Sequence, residues 1–316
     1  MQHNGRDIGT FIATKEHRRF VEFANAVRKH RYIGLCYGPA GVGKTLSARR
    51  YAHWDSIEPY LDEGPHEHPS SSEELVTLVR TRTLFYTPSV SETVRDMRKS
   101  LGDLIYQAEY SIDNHLNYDE NFCKINKHNT SIEMVIFDES ERLSMNTIEF
   151  IRSIFDKKNI GVMLIGMPGM EKRFSRFAQF YSRVGFAHHY RPLTGDELTF
   201  VLTRHWRSLG INLDNADFTD VQAVATIARI TGGNFRLLHR LFTQIERIMK
   251  INELTVITDD VVEAARSTLV IGGVIAESVP NCTLSPATAR RGMLSADFEG
   301  DGRYLRAVRP AKHSRH

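Results

Sequence analysis

The sequence is poor in cysteine. Three cysteines, Cys36, Cys123 and Cys282, are spread through 316 residues. Their distance and odd number exclude a disulfide framework and a cysteine-rich zinc site, and they fit a reducing cytoplasm. No apolar run reaches the roughly 18 residues of a membrane-spanning helix. The first residues, Met1-Gln2-His3-Asn4-Gly5-Arg6-Asp7, lack the apolar centre of a secretory signal. No internal repeat is evident. Charge of one sign is also missing: the formal balance is +3, which permits a nucleic-acid partner without arguing for one. What remains is 41% hydrophobic and 25% charged, the profile of a soluble globular chain long enough for two domains.

Against this plain background one stretch stands out, Gly38-Pro39-Ala40-Gly41-Val42-Gly43-Lys44-Thr45. It meets the phosphate-loop pattern G-x-x-x-x-G-K-[ST] at every fixed position. Tyr32–Tyr37 before it reads as a buried strand, and Leu46–Ala52 after it as a helix start, which is the context the motif requires. Glycines let successive N–H groups turn inward around a phosphate, and the unpaired N–H groups of the following helix favour an anion. Lys44 is placed to reach the β- and γ-phosphates and the Thr45 hydroxyl to sit on Mg2+.

A second signal is Glu133-Met134-Val135-Ile136-Phe137-Asp138-Glu139, an apolar run ending in two carboxylates, the Walker B pattern. A buried parallel strand delivers such acids to the crevice where ligands bind in open α/β sheets. Asp138 is the candidate Mg2+ ligand and Glu139 the residue that orients and polarises an attacking water. A further buried strand follows at Gly161–Gly166.

The rest of the chain frames these motifs. Thr14 caps a helix whose Phe20, Phe23, Ala24 and Val27 share a face; Phe11 and Ile12 before it either cover a base or staple the helix. Residues 55–80 read as a polar surface insertion in which His66 and His68 are solvent-exposed rather than metal ligands. Arg82–Tyr86 reads as a strand, and Ser91 as the cap of a helix running to about Gln107. Residues 109–130 read as polar and irregular. After Pro192, segments 195–209, 216–230, 234–250 and 258–269 have helical periodicity, with Thr258 or Asp259 capping the last. Residues 271–316 read as a disordered basic tail, with a solubilising role as the default and DNA tethering as the alternative. The expected organisation is an N-terminal helical arm at 1–30, an α/β nucleotide-binding domain at 31–192 built on a parallel sheet flanked by helices, a small all-helical lid at 193–270 and the tail.

The order of these parts resembles the AAA+ ATPases, and within them the transposition regulators of the TnsC/TniB type, with phage Mu B and IstB-like helpers as more distant relatives. Asp138-Glu139-Ser140-Glu141-Arg142-Leu143 is similar to the Asp-Glu-Ala-x-Arg-Leu sequence common there, and Gly232-Gly233-Asn234-Phe235-Arg236 to the lid segment. The likeness spans about residues 10–270. It implies ATP and Mg2+ held by residues 38–46, from Gly38 through Leu46. It implies Arg236 as the lid arginine that touches the γ-phosphate of its own subunit. Arg183, with Arg173 and Arg176 as competitors, is implied as an arginine offered to the neighbouring subunit. The resemblance also implies that the third strand lies between the other two. One position departs from the pattern: Met167 stands after that strand where Asn or Thr is usual, and methionine offers little to water or phosphate. Slow hydrolysis is expected, suited to a timing switch.

The function implied is an ATPase that assembles as a ring or filament on double-stranded DNA through sequence-blind backbone contacts, with a transposase and a target-selection protein as partners. Arg95, Arg98, Lys99, Lys124 and Lys127 are the candidate contacts. The alternatives are an ATPase acting on a secretion or pilus assembly, and an ATP-binding scaffold that scarcely hydrolyses.

Overall fold

Ile33–Tyr37, Met134–Phe137 and Gly161–Gly166 are short runs without polar alternation, the pattern of strands covered on both faces. A computed structural model, which describes residues 11–63, 72–118, 131–214 and 216–269, places them side by side. The first half of the chain runs α1 (Lys15–His30), β1 (Ile33–Tyr37), α2 (Lys44–Ala52), α3 (Trp54–Glu63), α4 (Glu73–Thr81), β2 (Thr83–Tyr86), α5 (Val94–Tyr118) and β3 (Met134–Phe137). It continues through α6 (Met145–Lys158), β4 (Gly161–Gly166), α7 (Met170–Phe174), α8 (Ala178–Tyr181) and β5 (Val184–His189). Four helices follow: α9 (Asp196–Ser208), α10 (Phe218–Thr231), α11 (Phe235–Ile251) and α12 (Asp259–Ser267).

The sheet has five strands in the order β2-β3-β4-β1-β5, every neighbouring pair parallel. β4 lies between β1 and β3, with Leu164 level with both Leu35 and Phe137. The ends of β1, β3 and β4 therefore share one edge, and the loops after them converge there.

The apolar core falls into two clusters. One gathers α1 and the sheet, from Phe20 to Tyr190; the other gathers the last helices, from Leu193 to Ala265. Phe20, Ala24 and Val27 of α1 are fully buried in the first cluster. A side chain the size of Phe20 or Val27 stabilises the fold by about 1.5–3 kcal/mol when buried. Thr14 caps α1 by accepting the N–H of His17 at 3.1 Å.

The structure differs from the sequence expectation in four places. Residues 55–80 are not a polar insertion throughout: α3 and α4 bury Trp54, Ile57, Tyr60, Leu61, Leu75 and Leu78 against the sheet cluster. Pro59 sits inside α3, so the usual breaker signal misleads there. The helix after β2 is capped by Thr93 instead of Ser91, in a reciprocal pair with Asp96. It also runs on to Tyr118, because Ala108 and Ile112 continue the buried stripe of Met97, Leu101 and Ile105. Finally, β5 is a strand that the periodicity did not reveal. The expectations for His66, His68, Lys124, Lys127 and the basic tail fall outside the described residues.

Candidate functional site

The loop between β1 and α2 begins where the Gly38 N–H donates to the Gly166 carbonyl at 3.3 Å, tying it to the end of β4. Gly41 and Gly43 take left-handed backbone angles, with φ of 79° and 106°. Gly41 has a second reason to be glycine: a Cβ there would stand 2.5 Å from the Asn234 Oδ1 atom. Val42 is buried, Leu46 exposed, and Lys44 opens α2 with its side chain turned back under the loop. Its ammonium donates to the Gly38 and Pro39 carbonyls, both at 2.7 Å. Burial pulls the Lys44 pKa below the ordinary lysine range, against the opposing pull of Asp138, Glu141 and Glu139.

β3 carries its two acids to this loop. The Thr45 hydroxyl donates to Asp138 Oδ2 at 2.7 Å. Asp138 is buried, and burial raises its pKa while the Thr45 hydrogen bond opposes the rise. Among the described residues no three His, Cys, Asp or Glu side chains cluster to form a protein-only metal cage. Mg2+ bound with a nucleotide needs no cage: one carboxylate, one hydroxyl, phosphate oxygens and water suffice. Thr45 and Asp138 are therefore a donor set that fits it.

Glu139 sits beyond Asp138 in a left-handed conformation, φ 48°, which starts a 3-10 turn over Ser140–Arg142. The turn is fastened on both sides. Ser140 donates to the Phe137 carbonyl, and Arg173 donates to the carbonyls of Glu141 and Leu143. Arg142 reaches the Pro88 carbonyl at 3.1 Å and lies 3.8 Å from Glu139.

The turn also brings in a residue that motif spacing did not single out. Glu141 lies across the end of β4, where its Oε2 accepts the Met167 N–H at 3.3 Å. Burial raises the Glu141 pKa and the neighbouring Glu139 carboxylate adds to the rise. Met167 itself is exposed, with no polar group to offer.

The helical cluster closes the other side of the loop. Asn234 caps α11 by accepting from the N–H groups of Arg236 and Leu237, at 3.0 and 3.3 Å. Its amide also donates to the Ala40 carbonyl at 2.7 Å, and the Arg236 N–H lies 3.1 Å from the Gly41 carbonyl. The first turn of α11 thus rests on the phosphate loop, which puts Arg236 beside the site through its backbone while its side chain is exposed. The amide role of Asn234 is a second feature that sequence reasoning missed, although the residue was part of the lid motif.

Below the loop a polar chain links three elements. His17 Nδ1 lies 3.0 Å from Ser47 Oγ, which lies 2.7 Å from the Tyr190 hydroxyl. Phe11 packs edge-on against His17 at 4.7 Å, and Arg50 lies over the Phe11 ring. Ile12 packs instead against the helical cluster.

The three arginines weighed for a neighbouring site have different surroundings. Arg183 is held within its own chain by Asp156, at 2.6 and 2.9 Å, and by the Gln179 carbonyl. Arg173 is committed to the 3-10 turn. Arg176 is exposed, with no side-chain hydrogen bond or ion pair among the described residues.

Residues 27–174 match the model of the AAA domain. A Staphylococcus aureus protein named "Potential ATP-binding protein" is 42% identical over 272 residues, covering 83% of this chain and 97% of the relative. Among solved structures, a single-residue variant of Thermotoga maritima RuvB aligns with a TM-score of 0.50 and 17% identity, covering 81% of this chain and 71% of that one. Aeropyrum pernix ORC2 aligns with a TM-score of 0.49 and 16% identity, covering 84% and 70%.

Proposed function

The chain belongs to the AAA-domain P-loop ATPases, and we propose that among them it is an ATP-gated regulator of DNA transposition. In this reading it assembles on double-stranded DNA and recruits or activates a transposase. The observation that carries the switch is the seating of α11 on the phosphate loop through Asn234 and Arg236. A ligand that changes the loop is felt by the lid.

The N–H groups opening α2, with Lys44, are the groups that would hold the phosphates of ATP. Thr45 and Asp138 would hold Mg2+. Bound ATP supplies a γ-phosphoryl group open to water, with Mg2+ drawing off its charge. Glu139 orients and polarises that water. Arg236 is the cation offered by the lid of the same subunit. Arg183 is the cation offered to a neighbour, and Asp156 is its resting partner, so subunit contact must exchange one anion for another. That exchange makes turnover depend on assembly. With Met167 at the end of β4, turnover is slow.

The DNA and transposition parts of the reading are supported by the resemblance of residues 138–143 and 232–236 to the regulators named above. Contacts to a phosphate backbone would make binding blind to sequence, leaving site choice to a target-selection protein. The test is filter binding of duplex DNA with a non-hydrolysable ATP analogue, with ADP and without nucleotide, joined to electron microscopy of the same mixtures. ATP-dependent binding and rings or filaments are expected. Binding that ignores nucleotide, or its absence in every state, defeats the reading.

A further inference from the structure

α11 is strongly two-faced. Leu238, Leu241, Phe242, Ile245 and Met249 are buried in the helical cluster. The opposite face exposes Arg240, Thr243, Arg247 and Lys250. At roughly 100° per residue these four positions fall within an arc of about 80°, and at 1.5 Å per residue they form a row about 15 Å long. Glu246 is the one acid on the exposed side of the helix.

Some cations on other helices are paired with acids, though Arg95 and Lys99 on α5 and Arg207 on α9 form no ion pair among the described residues. Arg49 on α2 sits on Asp55 and Glu58, Arg152 on α6 on Glu149 and Asp156, and Arg229 on α10 and Arg266 on α12 share Glu263. Arg240, Arg247 and Lys250 make no side-chain hydrogen bond or ion pair among the described residues. A row of unneutralised cations calls for an anionic partner with regularly spaced charge. The row holds no apolar side chain to anchor a protein partner, whereas phosphate contacts draw on Arg, Lys and Thr. Measured along the duplex axis, its length covers about four phosphates of one strand at roughly 3.4 Å of rise each.

We propose that the exposed face of α11 is the surface on which this chain holds the phosphate backbone of duplex DNA. The proposal rests on the DNA-binding reading above and moves the contact from the α/β domain to the lid. On α5, Arg98 lies over the Phe150 ring, 5.3 Å from its centroid.

The experiment uses the full chain, a non-hydrolysable ATP analogue and a labelled random-sequence duplex, with affinity read by fluorescence anisotropy across a salt series. Arg240→Gln, Arg247→Gln and Lys250→Gln are made singly and together, beside an Arg95→Gln/Lys99→Gln control on α5. Each single substitution is expected to lower the slope of log affinity against log salt by about one, and the triple by about three. The α5 control should keep the wild-type slope. Melting temperature and analogue binding show that each variant is folded.

If the triple variant binds as tightly as the wild type with the same slope, the α11 assignment is overturned while the DNA reading stands. If the wild type binds no duplex in any nucleotide state, the DNA reading itself has failed. If polyglutamate of equal charge displaces the duplex as well as unlabelled duplex does, the face is an acidic-protein site and the nucleic-acid assignment is wrong.

Discussion

Glu141 shows how one residue can complete a site from an unexpected direction. The carboxylate accepts the Met167 N–H and lies against Gly166, where an added Cβ would stand 2.5 Å from its Oε2 and 2.7 Å from Met170 Sδ. Both obstacles are ends of flexible side chains, so Gly166→Ala should displace Glu141 and leave the fold intact. Single-turnover phosphate release is expected to fall about tenfold, with analogue affinity and melting temperature close to wild type. An unchanged rate would make Glu141 a bystander. Glu139→Gln should be harsher, lowering release at least about 100-fold while ATP binding persists, as loss of a water-orienting base does. No change there would favour the scaffold that scarcely hydrolyses. Lys44, Thr45, Asp138 and Glu139 could be picked as candidates from the sequence because each pair stands at a fixed place in a short motif, and the structure brings Thr45 and Asp138 together. Glu141 could not. Its place depends on the left-handed turn at Glu139 and on Arg173 fastening the turn from 32 residues further on.

At the scale of elements, two joints hold the lid to the sheet domain. Asn234 is one, because it caps α11 and also donates to the Ala40 carbonyl. Asn234→Ala should cost about 1 kcal/mol through the cap alone, seen as a lower melting temperature. Asn234→Asp keeps a capping oxygen but turns an acceptor toward the Ala40 carbonyl, so it should weaken nucleotide-dependent protection of the lid from protease with less loss of stability. Glu16 is the other joint. Its N–H donates to Glu197 on α9, its carboxylate accepts the Arg191 N–H and pairs with Arg19, and His188 Nε2 lies 3.1 Å away. Burial alone would raise the Glu16 pKa, but His188, Arg19 and the Arg191 N–H together bring it below the usual 4.5. A carboxylate lowered on folding contributes stability above its unfolded pKa and loses it as pH falls through the folded value. Glu16→Gln should therefore melt lower at neutral pH, by about 2 kcal/mol, and the gap should close on acidification below about pH 4.5. A gap that ignores pH would mean packing, not charge.

The same scale shows what sequence can carry. β1, β3, β4 and the four lid helices were readable because apolar run or helical period matched burial. β5 was not. Its inward Val184, Phe186 and His188 alternate with outward Gly185, Ala187 and His189, so hydropathy hardly oscillates where burial does. α3 hid behind Pro59, and the far end of α5 behind polar neighbours of Ala108 and Ile112.

For the whole molecule, the proposed assembly turns on which atoms one subunit lends another. Asp156 grips Arg183 side-on in the single chain, accepting from Nε and Nη2 of the guanidinium. Mixing Arg183→Ala subunits with Lys44→Ala subunits should restore part of the hydrolysis that neither preparation shows alone, since the second type still supplies the arginine and the first still binds ATP. If Arg183→Ala hydrolyses like wild type, the exposed Arg176 takes over the assignment. No helix among the described residues is long and apolar enough to cross a membrane.

The rigid rod that begins on Gly41 and ends near Lys250 has one more consequence. If ATP at its foot tightens the hold on a duplex along its flank, the duplex must tighten ATP by an equal factor, because the four bound and free states close a thermodynamic cycle. Such couplings commonly amount to about 5–150-fold. A nucleotide titration on protein stripped of nucleic acid would then report a weaker ligand than the assembled complex meets, and trace duplex carried through purification would masquerade as high intrinsic affinity.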